Sequence, residues 1–142
     1  MQLLHLEYIP MQRGTGTQSN GQASHAEGNS TNAYGISSHA EGQNTSASGN
    51  TSHAEGSGTT ITSTGIAAHA EGIGTTAGGR SSHSEGNNTI SYGISSHAEG
   101  DTTVASGNSS HAEGRATKTT NIAEHASGVY NCLLYTSPSP RD

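Results

Sequence analysis

The sequence predicts an all-β chain, a flattened, two-sided parallel β-solenoid built from 14-residue coils. Three observations carry this: a short string recurs at fixed spacing, each copy alternates small and variable residues, and apolar side chains are scarce. Ser-His-Ala-Glu-Gly, or a close variant, places histidine at 25, 39, 53, 69, 83, 97, 111 and 125. The spacing is 14 residues throughout, except for 16 between His53 and His69. Only 27% of the 142 residues are hydrophobic, with no Trp, no Phe and 20 Gly, whereas globular domains run near about 45–50% apolar. An ordinary packed enzyme domain is not expected, and order must come from something other than a large core.

Cutting after each terminal glycine gives eight units over residues 15–128, each reading x-x-Thr-x-Ala-x-Gly-x-x-Ser-His-Ala-Glu-Gly. The third position is Thr in all eight (17, 31, 45, 59, 75, 89, 103 and 117), and the fourteenth is Gly in all eight. The seventh is Gly in seven units and Asn121 in the last. T-x-A-x-G and S-H-A-E-G read as two five-residue strands joined by two-residue connections, a glycine ending each where the chain turns or takes a positive φ. Three faces would need a longer coil. At ~4.8 Å per coil, eight coils span roughly 38 Å. The absence of apolar heptads excludes a coiled coil.

Residues two apart share a strand face. Thr, Ala and Gly of the first strand, with Ser, Ala and Gly of the second, are small enough to fill a thin interior. His and Glu then point outward, as do the variable residues of the first strand, among them Gln18, Tyr34, Ser46, Ile90, Tyr92 and Val104. The Thr column is expected inside, its hydroxyls bonding up the stack. Regular threonines on a flat solenoid can also match an ice lattice, and pairs occur at Thr59–Thr60, Thr75–Thr76 and Thr102–Thr103. Ice binding is therefore an alternative.

The pattern A-x-G-x-x-S-H-A-E-G-x-x-T resembles the head repeat of YadA-like trimeric autotransporter adhesins, A-x-G-x-x-S-V-A-I-G, over residues 15–128. Period, both glycines, the central alanine and the serine agree; His stands for Val and Glu for Ile. The SHAEG variety is similar to repeats of phage tail fibres and bacterial surface proteins, often followed by a self-cleaving chaperone domain of the peptidase G2 type. The resemblance implies a left-handed parallel β-roll, a homotrimer packed around an axis, and a structural, adhesive role. It implies a head or shaft segment on a phage tail fibre or bacterial cell surface, facing a host-surface receptor.

Seven units carry both polar residues: His25 and Glu27, His39 and Glu41, His53 and Glu55, His69 and Glu71, His83 and Glu85, His97 and Glu99, His111 and Glu113. In the eighth, Ser127 follows His125 in place of Glu. Stacked carboxylates repel, so the row needs partners. The expectation is a trimer-interface ladder in which His and Glu hydrogen-bond from chain to chain. A transition metal on the trimer axis is an alternative. No cofactor, metal or catalytic residue is expected: the serines lie on the face opposite His and Glu, which argues against a Ser-His-Glu hydrolase, and eightfold repetition suits architecture. Calcium sites of the G-G-x-G-x-D type need Asp, and before residue 132 there is only Asp101.

A formal charge of −6 with five Lys+Arg argues against nucleic acid or an anionic membrane as partner, and no stretch approaches the ~20 apolar residues of a membrane span. Residues 1–14 read as a lead segment whose Leu3, Leu4, Leu6, Tyr8 and Ile9 would cap the first coil or join an upstream domain. Residues 129–131 are expected to begin a truncated C-terminal region. Residues 132–142, CLLYTSPSPRD, resemble the transposon-end adapter of short-read sequencing libraries translated in frame and are set aside with the single Cys132. Two extra residues within Ile61–Thr64 should form a bulge or longer turn. Ile36, Ile66, Ile94 and Ile122, in alternate units, are expected to pack against a neighbouring chain or coil edge.

Overall fold

A computed structural model of the chain describes residues 10–130; the expectations for Leu3 to Ile9 and for residues 132–142 lie outside them. The described residues form a parallel β-solenoid of about eight 14-residue turns, with no helix. One sheet has nine strands in chain order: Met11–Thr15, His25–Asn29, His39–Gln43, His53–Ser57, His69–Ile73, His83–Asn87, His97–Asp101, His111–Ala112 and His125–Ala126. The other has eight two-residue strands, from Gln18–Ser19 and Asn32–Ala33 to Lys118–Thr119. Pairing is in register with the repeat: His25 beside His39, Ala26 beside Ala40, Glu27 beside Glu41. The first strand precedes the first SHAEG string, yet it pairs Met11 with His25 and Gly14 with Gly28.

The strands are not the two equal segments the alternation suggests. The His-bearing strand begins at His and runs past the glycine, while the opposite strand keeps only two ladder residues. The physical cause lies in the fourteenth residue. Gly28, Gly42, Gly56, Gly72, Gly86, Gly100 and Gly114 have φ between 101° and 119°, which breaks the in–out alternation and leaves them outside the buried column. The interior is otherwise as expected. Ala26, Ala40, Ala54, Ala70, Ala98 and Ala112 face Ala33, Ala47, Ala77 and Ala105, all fully buried, with Thr31, Thr45, Thr59, Thr75, Thr89 and Thr103 beside them.

The Thr hydroxyls do not bond up the stack. Those of Thr31, Thr45, Thr59, Thr75 and Thr103 have no partner among the described residues. Equivalent atoms in adjacent coils stand one strand spacing apart, ~4.8 Å, beyond the ~2.5–3.0 Å of a hydroxyl bond. Where serine replaces a core alanine at 84, its hydroxyl meets Thr89 within the coil at 2.8 Å.

Corners hold the coil closed. In four coils the serine before the histidine donates to the seventh-position glycine: Ser24 Oγ to Gly21 O at 2.6 Å, Ser38 Oγ to Gly35 O at 2.8 Å, Ser52 Oγ to Gly49 O at 2.6 Å and Ser96 Oγ to Gly93 O at 2.8 Å. The residue preceding that serine is left-handed: Ala23, Ser37, Thr51, Ala67, Ser81, Ser95, Ser109 and Ala123 have φ of 54–56°. Each such non-glycine conformation costs about 1 kcal/mol or more. It is held by an N–H bond to the coil before, as from Ser37 to Gln22 O at 2.8 Å. The seventh glycine is needed for another reason. Its φ is not in the left-handed region, but a Cβ on Gly35 would collide with the Gly49 carbonyl oxygen of the next coil.

The 16-residue interval leaves the register intact, with His53 still beside His69. The extra residues are absorbed in a turn at Ser63 and Thr64, where Thr64 Oγ1 donates to Gly78 O at 2.8 Å. This coil carries Ile61, the largest fully buried side chain; a Cβ on Gly65 would meet Ile61 Cγ2 at 2.6 Å.

The eighth unit departs from the repeat with a purpose. In earlier coils the N–H groups of the sixth and seventh residues reach the next coil, as Tyr34 and Gly35 both reach Ala47 O. In the eighth, the Glu124 carboxylate accepts those bonds instead, from Thr120 N at 2.6 Å and Asn121 N at 2.8 Å. Glu124 thus caps the last coil of the two-residue sheet.

Gly35→Ala is expected to lower stability by about 1–3 kcal/mol through overpacking, while Ser37→Gly, two residues on, stays within about 1 kcal/mol of the parent. Urea unfolding of both variants checks this; equal costs would contradict it. Restoring the repeat's serine by Glu124→Ser should destabilise the final coil by about 1 kcal/mol, with faster amide exchange at Thr120 and Asn121. Unchanged exchange at both would contradict the cap.

Candidate functional site

Because the nine-stranded sheet pairs like with like, it presents one column of imidazoles beside one column of carboxylates. All ladder residues from His25 to Glu113 lie on that outer face, half-buried. The eight imidazoles stack with centroids 4.7–5.0 Å apart and planes within 2–16° of parallel, separations within the range of stacked ring pairs.

The glutamates find their partners along the stack within one chain. Each Glu reaches the histidine of the next coil: Glu41 to His53 at 3.4 Å, Glu55 to His69 at 3.2 Å and Glu71 to His83 at 3.4 Å. The series continues with Glu85 to His97 at 3.2 Å, Glu99 to His111 at 3.1 Å and Glu113 to His125 at 3.4 Å. Glu27 instead approaches His25 of its own coil, at 3.5 Å. The contacts of His69, His97 and His111 have hydrogen-bond geometry. The Nε2 atoms of His25, His39, His53 and His83 are shielded from solvent and hydrogen-bond nothing among the described residues. The ladder was legible in the sequence as a face, but its axial offset was not. Spacing fixes which column a side chain occupies, whereas rotamers decide whether it leans toward the coil above or below.

Like charges crowd this face. Two carboxylates one strand spacing apart repel by about 1 kcal/mol in water and about 3.5 kcal/mol at an effective dielectric of about 20. His39 and His83 are weak neutralising partners for this row. Burial, and then the neighbouring imidazoles, hold His39 and His83 below the ordinary histidine value, with the nearby glutamates pulling more weakly the other way. Partial desolvation raises the Glu99 carboxyl, but its hydrogen bond with His111 and the nearby imidazoles outweigh it and hold Glu99 low. Backbone N–H bonds do the same for Glu124.

The serines are not part of this face. Ser24, Ser38, Ser52, Ser82, Ser96 and Ser110 are buried, on the side of the strand opposite His and Glu. The Thr column is equally buried, so no lattice-matched row of it meets solvent. Ile36, Ile66, Ile94 and Ile122 line one edge and are 37–77% exposed. Sequence reading did not anticipate the role of the residue between them: Asn50 and Asn108 Oδ1 accept the N–H of Ile36 and Ile94 at 2.9 and 3.0 Å. The recurrence of Asn50 after Ile36 and of Asn108 after Ile94, one coil on, was the available signal.

No protein-family model matches this chain, and no curated protein matches it in sequence. Among the described residues, no helix is long and apolar enough to cross a membrane.

Folded-state values below the unfolded ones mean that the unfolded chain binds protons first. The contribution of His39 and His83 is therefore complete above their ordinary value of 6.5 and is lost as pH falls below it,. Glu99 and Glu124 add a loss of the same sign below 4.5. The melting temperature should hold from about pH 8 to about pH 7 and then fall steadily toward about pH 5. A melting temperature that rises on acidification would contradict this electrostatic account.

Proposed function

We propose that the chain is a rigid segment of a homotrimeric fibre, head or shaft, with a structural and adhesive role at a phage tail or bacterial exterior, presenting a surface to a host receptor. The proposal includes a left-handed roll, three rolls packed side by side, and the His/Glu face turned toward the other chains. One observation carries it. The variable positions of the short-strand sheet drift freely from coil to coil, but the His column runs through eight consecutive coils and the Glu column through seven, like paired with like. A face that repeats so faithfully is matched to something that also repeats, and a second and third copy of the same roll is the simplest such partner.

Energetics support this. The interior contains little but Ala, Ser and Thr, so a lone coil buries little apolar area, and association supplies what a thin core lacks. A polar network between chains fixes axial register when every member is satisfied. The axial His–Glu contacts engage one oxygen of each carboxylate and leave the part-exposed glutamates able to accept further bonds from a neighbouring chain,.

Light scattering on residues 1–131 is expected to give three times the mass of one chain, and a folded monomer would contradict the trimer. Replacing His53 and Glu55 by Ala in one central layer should weaken the assembly and lower its melting temperature. A trimer of unchanged thermal stability would remove the ladder from the interface.

A further inference from the structure

The axial offset of the ladder builds a constellation that no single repeat contains. Six of the seven ladder glutamates lie between two imidazoles, one from their own coil and one from the next. In His39–Glu41–His53, His53–Glu55–His69, His69–Glu71–His83, His83–Glu85–His97, His97–Glu99–His111 and one further triad, ligating atoms from the three residues lie within 4.8 Å of one another. We propose that these triads bind divalent transition cations of the zinc and nickel class, each held by two imidazole nitrogens and one carboxylate oxygen, with solvent completing the shell. Every triad is complete within one chain, so the sites do not depend on trimerisation.

Geometry, donor chemistry and charge agree. Zinc takes imidazole nitrogen and carboxylate oxygen at about 2.0–2.2 Å. The His–Glu separations of 3.1–3.4 Å would then subtend about 100° at an ion, between octahedral and tetrahedral angles. Neighbouring rings lie nearly parallel, so bringing the second imidazole into the shell requires that ring to rotate out of the stack and its nitrogen to move by about 1 Å, a rotamer change open to a half-buried side chain. Two imidazoles with one carboxylate suit zinc, nickel or copper rather than calcium or magnesium, which prefer oxygen alone. His39, His53 and His83 Nε2 lack any hydrogen-bond partner while being shielded from solvent, an unfavourable state for a polar atom that a metal–nitrogen bond removes. The ion also relieves repulsion along the carboxylate row.

Sharing sets the stoichiometry. Successive triads use the same histidine, so two neighbours cannot both fill, and six triads in series accept three ions per chain. Those three divalent ions would bring six positive charges to the seven ladder carboxylates. An ordinary count of isolated sites would give six.

The test is titration of the full chain, carrying Cys132→Ser to remove the one thiol, with zinc chloride and separately nickel chloride near neutral pH. Saturation at about three ions per chain is expected, with uptake weakening as protons compete on acidification. Changing Glu41, Glu55, Glu71, Glu85 and Glu99 together to Gln keeps side-chain volume, removes the carboxylate row and leaves one triad, so the count should fall from three to one. No saturable uptake, or an unchanged count in the variant, overturns the proposal. Should the variant misfold, X-ray absorption on the zinc-loaded parent decides: imidazole nitrogen with oxygen supports the triads, and a shell of oxygen alone contradicts them.

Discussion

Parallel, in-register stacking is the constraint on which the rest of this molecule depends. Each residue lies beside its counterpart one coil on, so the sequence of one coil becomes a set of columns. A column of alanine is a core only one methyl deep. A column of glycine exists where carbonyls of the next coil occupy the space a Cβ would need, as between Gly35 and Gly49. The exceptions fit the same logic. Asn121 replaces the seventh glycine in the eighth unit, where no described coil stacks beyond it, and Gly128 has no neighbour within 4 Å of its missing Cβ.

The same constraint makes the His/Glu face an energetic problem as well as a feature. Stacking suits the imidazoles, which lie nearly parallel, but forces carboxylates into a row where each repels the next. The offset of Glu99 onto His111, at 3.1 Å, is the local answer, since it gives each carboxylate a nitrogen between itself and its neighbour. It leaves other imidazole nitrogens unbonded, among them His39. Those nitrogens and the row of carboxylates define what the face can receive: donors from another roll at the part-exposed glutamates, or a small divalent cation that draws a buried nitrogen into its shell. The two are compatible, since a cation held within one chain leaves its remaining coordination positions open.

Period and side-chain parity made much of this legible from sequence. The 14-residue repeat gave the coil, and alternation placed Thr, Ala and Ser inside and His and Glu outside. Other features, like the axial offset of Glu onto His, were not legible because they depend on backbone or rotamer choices that period does not encode. Positive φ at Ser37 and Thr51 falls on residues with no strong left-handed preference, and only the N–H bond to the preceding coil holds them there. The fourteenth glycine lies within a strand rather than at its end. Threonine hydroxyls one coil apart are too distant to bond. Glu124 looks like decay of the repeat until its carboxylate is seen accepting the N–H groups of Thr120 and Asn121.

If register governs the fold, amide protection must carry the period of the coil. Residue-resolved hydrogen exchange of the folded protein tests this most directly. His39, His83 and His97 N–H bond to Ser52, Ser96 and Ser110 O at 2.9 Å, and Asn32, Ser46 and Ile90 N–H bond to Thr45, Thr59 and Thr103 O at the same distance. The account predicts slow exchange at all six, repeated coil after coil and relaxing only toward the ends of the stack. Slow exchange confined to one coil, or fast exchange at these amides while the chain remains folded, would contradict it.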